Sequence, residues 1–87
     1  MENCNEHNTN HYHSLMIELQ RAKKEGYIKD IQMLDHDLRV MMSLNTPDIK
    51  IQEVADHITA KYRIYTEAKL STKVIVIYDV YTLDPRV

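Results

Sequence analysis

Apolar residues recur at helical spacing in three stretches of the chain. In the first, they lie three and four positions apart from Tyr12 to Ala22, and Gly26 follows as a residue that can end a helix in the left-handed conformation. In the second stretch, from Tyr27 to Met41, the apolar residues are again three and four positions apart. The third stretch starts at Pro47, a residue that suits the first turn of a helix. We therefore expect helices over 12–25, 27–45 and 47–70. The core residues that these patterns predict are Leu19, Ile31, Leu34, Leu38, Ile58 and Ile75.

The C-terminal stretch is rich in β-branched and aromatic residues and predicts a strand over 73–83. Residues 62–67 alternate well enough to pair with it, but residues 68–71 lack the glycine, asparagine or aspartate that tight hairpin turns favour. A strand without a partner in its own chain would pair with its copy across a homodimer. The expected oligomer interface comprises Val74, Val76, Tyr78, Val80 and Tyr81. The predicted fold class is thus mainly α with a C-terminal β-strand (α+β), a three-helix unit whose strand pairs across the dimer.

The length and composition of the chain limit the number of domains and indicate the cellular compartment. The chain has 87 residues, enough for one domain, which we place at 12–87 after a flexible polar arm at 1–11. One cysteine excludes an internal disulfide, and one glycine excludes phosphate-binding glycine loops. Neither a membrane helix nor an export signal is apparent, so we expect a cytoplasmic protein with no membrane partner.

The polar arm carries the one cluster of potential metal ligands. Cys4, His7, His11 and His13 combine a thiol with imidazoles, a ligand set that suits zinc, copper or nickel. Structural zinc sites normally draw their ligands from two separated pairs, whereas these four residues fall within ten positions. We therefore assign neither a metal nor another cofactor.

Candidate catalytic groups are few. Asp35, His36 and Asp37 are adjacent, and neighbouring side chains on the predicted helix would point in different directions. Glu53 and His57 have the four-residue spacing that brings side chains together on a helix, but an exposed surface pair is the better explanation for them. We assign no catalytic residue and expect a protein that is not an enzyme.

Two functions remain. The favoured one is a small regulatory protein that acts by binding a larger, unidentified protein as its modulator or inhibitor. The alternative is a DNA-binding regulator with a winged-helix-like fold, in which residues 52–60 support a recognition helix at 63–71 and a wing strand covers 73–82. Its nucleic-acid-binding residues would be Lys61, Arg63, Lys69 and Lys73. The net charge of −2 weighs against this alternative, because DNA-binding domains are normally basic.

Overall fold

The computed structural model describes the backbone of residues 4–34 and 36–78 and the side chains of residues 13–34 and 36–78. These ranges contain two helices and four strands. They are α1 (Cys4–Lys24), β1 (Ile28–Leu34), β2 (Asp37–Met42), α2 (Asp48–Tyr62), β3 (Thr66–Lys69) and β4 (Val74–Ile77). The strands form one antiparallel sheet in the order β1-β2-β4-β3. The described chain is therefore α+β, two successive αββ units whose second strands, β2 and β4, pair at the centre.

The mainly α fold class is wrong, because the predicted second helix, 27–45, contains the β1–β2 hairpin. In β2, the side chains of Leu38, Val40 and Met42 are buried at alternate positions, as expected of a strand with one covered face. In β1, the register with β2 shifts between Ile28 and Asp30. This irregularity breaks the two-residue alternation, so the apolar spacing of the whole stretch resembles that of a helix.

The predicted third helix starts in the right place but ends early. It ends at Tyr62, and Thr66–Lys69 is a strand, so neither a helix to residue 70 nor a recognition helix at 63–71 is present. The β3–β4 turn forms without glycine because Lys73 adopts the left-handed conformation (φ 54°). Its ammonium group donates to the Thr46 carbonyl at 3.0 Å and to an Asp48 carboxylate oxygen at 2.9 Å, which ties the turn to the start of α2.

The C-terminal strand has partners on both sides within the chain. β4 pairs with β2 along one edge and with β3 along the other, and it covers Val74–Ile77 within the predicted 73–83. The reason for placing a dimer interface along its edge therefore disappears. Val74, Val76 and Tyr78 share the sheet face opposite the buried Ile75 and Ile77, whereas Val80 and Tyr81 lie outside the described residues.

Both helices pack on one face of the sheet, and the core lies between this helical layer and the sheet. Leu19, Leu38, Ile58 and Ile75 are buried there, as predicted from the sequence. Ile31 is half-buried against the core. The prediction for Leu34 is wrong, because its side chain is 41% exposed at the end of β1.

The end of α1 confirms the role predicted for Gly26. Its φ is +94°, its N–H donates to the Lys23 carbonyl, and the Tyr27 N–H donates to the Ala22 carbonyl, the paired bonds of a Schellman motif. At the other end, α1 begins at Cys4, inside the segment 1–11 predicted as a polar arm. Neither described helix combines the length and apolarity needed to cross a membrane.

Two leucines of the β1–β2 hairpin provide a matched test of the fold. We expect Leu38→Ala to lower the free energy of unfolding by about 2–5 kcal/mol, since Leu38 is fully buried and truncation leaves a cavity. The same truncation at the exposed Leu34 should cost less than about 1 kcal/mol. Urea unfolding measures both. Equal losses would contradict the hairpin and favour the helix in which both leucines face the core.

Candidate functional site

A groove runs between α1 and α2 and reaches the sheet beneath them. We call it the interhelical groove. Its cavity volume is about 350 Å³, near the lower end of the range of roughly 300–1,000 Å³ typical of ligand pockets. The apolar side chains lining it come from both helices and from the sheet, and they are Leu15, Leu19, Ala22, Val54, Ile58, Ile28 and Met42.

At one end, the groove reaches the connection between α1 and β1. Tyr27 and Lys50 line it here, and the Lys50 ammonium lies 5.3 Å from the centre of the Tyr27 ring, within the range of a cation–π contact. Tyr27 remains 42% exposed. This end therefore offers an accessible aromatic surface beside a positive charge.

At the other end, one carboxylate collects three donors from α2. Glu18 accepts a hydrogen bond from the Tyr62 hydroxyl at 2.7 Å, contacts His57 Nε2 at 3.0 Å and forms an ion pair with Lys61. We call these four residues the Glu18 cluster. They span 44 positions in the sequence, so the cluster fastens the first αββ unit to the second.

The cluster shifts the titration of its members. Partial burial of Glu18 by itself favours the neutral acid, but the hydrogen bonds from Lys61, Tyr62 and His57 together outweigh it, so the pKa of Glu18 lies below its usual value. Burial of Tyr62, reinforced by its bond to Glu18, raises the pKa of that phenol. Near neutral pH, Glu18 is therefore a carboxylate and Tyr62 a neutral donor.

The rim of the groove carries two further carboxylates, Glu25 directly after α1 and Glu53 from α2. Both residues are exposed. Within residues 13–34 and 36–78, neither side chain has a hydrogen-bond or ion-pair partner. Because Glu18 is already neutralised by Lys61, Glu25 and Glu53 are the acids of the groove that remain open to a cationic ligand.

The pairing suggested by the four-residue spacing is replaced by a different one. His57 contacts Glu18 of α1 and not Glu53 of its own helix. Sequence reasoning missed Glu18 because its partners lie 39 to 44 positions away, and no local spacing points to them. Of the adjacent acid–histidine–acid group, Asp35 lies outside the described residues, and His36 and Asp37 lie at the β1–β2 turn and the start of β2.

The four basic residues of the DNA-binding alternative do not form one patch. Lys61 pairs with Glu18 near the end of α2, and Lys73 pairs with Asp48 at its start, about 20 Å away at the helical rise per residue. Arg63 caps the end of α2 in the left-handed conformation, and Lys69 ends β3. Two of the four positive charges are thus already paired with carboxylates of the same chain.

The potential metal ligands of the N-terminal segment cannot be placed together. The side chains of Cys4, His7 and His11 lie outside the described residues, and His13 is exposed. Among the side chains that the structure describes, no group of three or more histidine, cysteine, aspartate or glutamate residues is arranged to hold a metal ion.

Replacing Glu18 tests the cluster. We expect Glu18→Gln to lower the free energy of unfolding by about 1–2 kcal/mol at neutral pH, because the amide loses the charge that Lys61, Tyr62 and His57 stabilise. The low pKa of Glu18 in the folded state means that its stabilisation is present above the unfolded pKa of about 4.3 and is lost as the pH falls through the folded value. The difference between wild type and variant should therefore shrink below about pH 4.

Urea unfolding at several pH values measures this difference. Glu53→Gln is the matched control, since the same substitution at a carboxylate without a described partner should change stability by less than about 0.5 kcal/mol. A Glu18→Gln effect that persists unchanged at low pH would contradict the assignment of the stabilisation to the ionised carboxylate.

Comparison with known proteins adds no functional information to this geometry. No family model, curated protein or solved structure matches the chain.

Proposed function

We propose that this chain is a small, non-enzymatic regulatory protein that binds a segment of a larger protein in the interhelical groove. The observation that supports the proposal is the pairing of an apolar floor with two carboxylates, Glu25 and Glu53, that lack side-chain partners in the described chain. An apolar surface with such a rim suits a segment that inserts an apolar side chain between lysines or arginines.

The extent of the groove favours a peptide over a compact small molecule. A second cavity of about 360 Å³ shares Glu18, Ala22, Glu25 and His57 with the first and continues to Arg21 and Lys61. Because they share these residues, the two cavities adjoin, and together they lengthen the channel between the helices. Channels of this kind typically hold an amphipathic helix or an extended strand through a few anchoring side chains.

The chemistry of the Glu18 cluster supports a binding role. Its carboxylate already accepts from Lys61, Tyr62 and His57, so it is a poor candidate to withdraw a proton from a substrate. The cluster instead fixes the spacing of the two helices on which the groove depends. The location that we propose for this activity is the cytoplasm, as predicted from the sequence.

Two synthetic amphipathic peptides test the proposal directly. One carries leucines and lysines at helical spacing, and the other has each lysine replaced by glutamate. We expect only the basic peptide to shift the backbone NMR signals of Leu19, Ala22, Val54 and Ile58, because its lysines can pair with Glu25 and Glu53. The double variant Glu25→Gln/Glu53→Gln should weaken binding by about threefold to thirtyfold, as two partly exposed ion pairs are lost.

A charge-matched control separates the groove from a general charge effect. Asp37→Asn/Glu67→Gln removes an equal number of negative charges, but from the face of the sheet that lies away from the helices. This variant should bind the basic peptide with unchanged affinity. Equal binding of both peptides, or signal shifts confined to the sheet, would contradict the proposal. A salt-sensitive gel shift on duplex DNA that Lys61→Glu and Lys69→Glu abolish would instead favour the DNA-binding alternative.

A further inference from the structure

Among the residues that the structure describes, β1 forms a long edge of the sheet and pairs with β2 alone. It has seven residues, whereas the opposite edge strand, β3, has four. An edge strand presents a row of unpaired N–H and C=O groups that can pair with another strand. Of the two edges, β1 offers nearly twice the length for such pairing.

The features that normally block edge pairing occur only in the first half of β1. Lys29 lies there, at the register shift between Ile28 and Asp30, and a charged side chain beside a bulge discourages a neighbouring strand. From Ile31 to Leu34 the strand contains neither a charge nor a proline. This second half is open to pairing.

The core is incompletely covered along the same edge. Met33 is 38% exposed, Ile31 is half-buried, and both face the helical layer because they pair with Leu38 and Val40. Met16 of α1 is also half-buried. It lies on the β1 side of α1, since Lys23, two helical turns later, reaches Asp30 at 3.9 Å.

We propose that β1 pairs antiparallel with β1 of a second copy of this chain, around a twofold axis at Gln32. In this register Ile31 lies opposite Met33 of the second copy, on the core side, and Asp30 lies opposite Leu34 on the other face. No two like charges of β1 oppose each other. The two four-stranded sheets become one continuous sheet, and the apolar side chains left exposed at each edge cover one another.

A second copy fits this edge better than an unrelated strand. The register is self-complementary in face and charge, and a twofold axis is the commonest symmetry of small oligomers. One chain of this size buries only about 60–65% of its unfolded surface, so pairing adds buried apolar area where it is lacking. Met16 does not line the interhelical groove, and this assembly does not depend on the proposed function.

A charge-swap experiment tests the proposal. Light scattering should give wild-type protein a mass about twice the 10.3 kDa of one chain at micromolar concentrations. Gln32→Lys and Gln32→Glu each place like charges opposite at the axis, and we expect each to raise the dissociation constant about tenfold. An equimolar mixture of the two variants should recover the dimer, because lysine then faces glutamate.

Gln52→Lys is the matched control, with the same change of charge at an exposed position of α2, and it should leave the dimer intact. Circular dichroism checks that all variants remain folded, as expected for an exposed Gln32. Wild-type protein that stays at the mass of one chain at every concentration would overturn the proposal. So would a dimer that Gln32→Lys and Gln52→Lys affect equally.

Discussion

The two-sided pairing of β4 is the interaction on which the rest of the structure depends. β4 is the last strand in the described order of elements, yet it lies between β2 and β3 and connects the two αββ units into one sheet. Its Ile75 and Ile77 are fully buried beneath the helices, opposite Val40 and Leu38. Without the β2–β4 pairing, two isolated hairpins would remain, and two-stranded hairpins are marginally stable in water.

The arrangement of the sheet also creates the groove. Each helix precedes its own pair of strands, so α1 and α2 lie side by side over a sheet whose centre is formed by the second strands of both units. The buried face of each helix supplies the apolar side chains of one side of the groove, and the Glu18 cluster links the two helices at one end. The polar contact between the two helices thus stabilises the fold, and it also shapes the groove that we propose as a binding surface.

The sequence could predict what is encoded locally. The end of α1 at Gly26, the start of α2 after Pro47 and the burial of β4 follow from residue types within a few positions. The β1–β2 hairpin was missed because its register shift conceals the alternation and its turn lacks glycine. The β3–β4 turn was missed because Lys73 holds its left-handed conformation through contacts with Thr46 and Asp48, more than twenty positions away. The Glu18 cluster was missed for the same reason, because the partners of Glu18 lie 39 to 44 positions away in the sequence.

An NMR measurement on mixed samples tests most directly whether one chain supplies both partners of β4. Isotope-labelled protein is diluted with a large excess of unlabelled protein, and cross-strand contacts from Ile75 to Val40 and to Ala68 are recorded within the labelled chains. We predict that both contacts persist undiminished, because all three residues belong to the same molecule. Loss of these contacts on dilution, with their reappearance between labelled and unlabelled chains, would contradict the account.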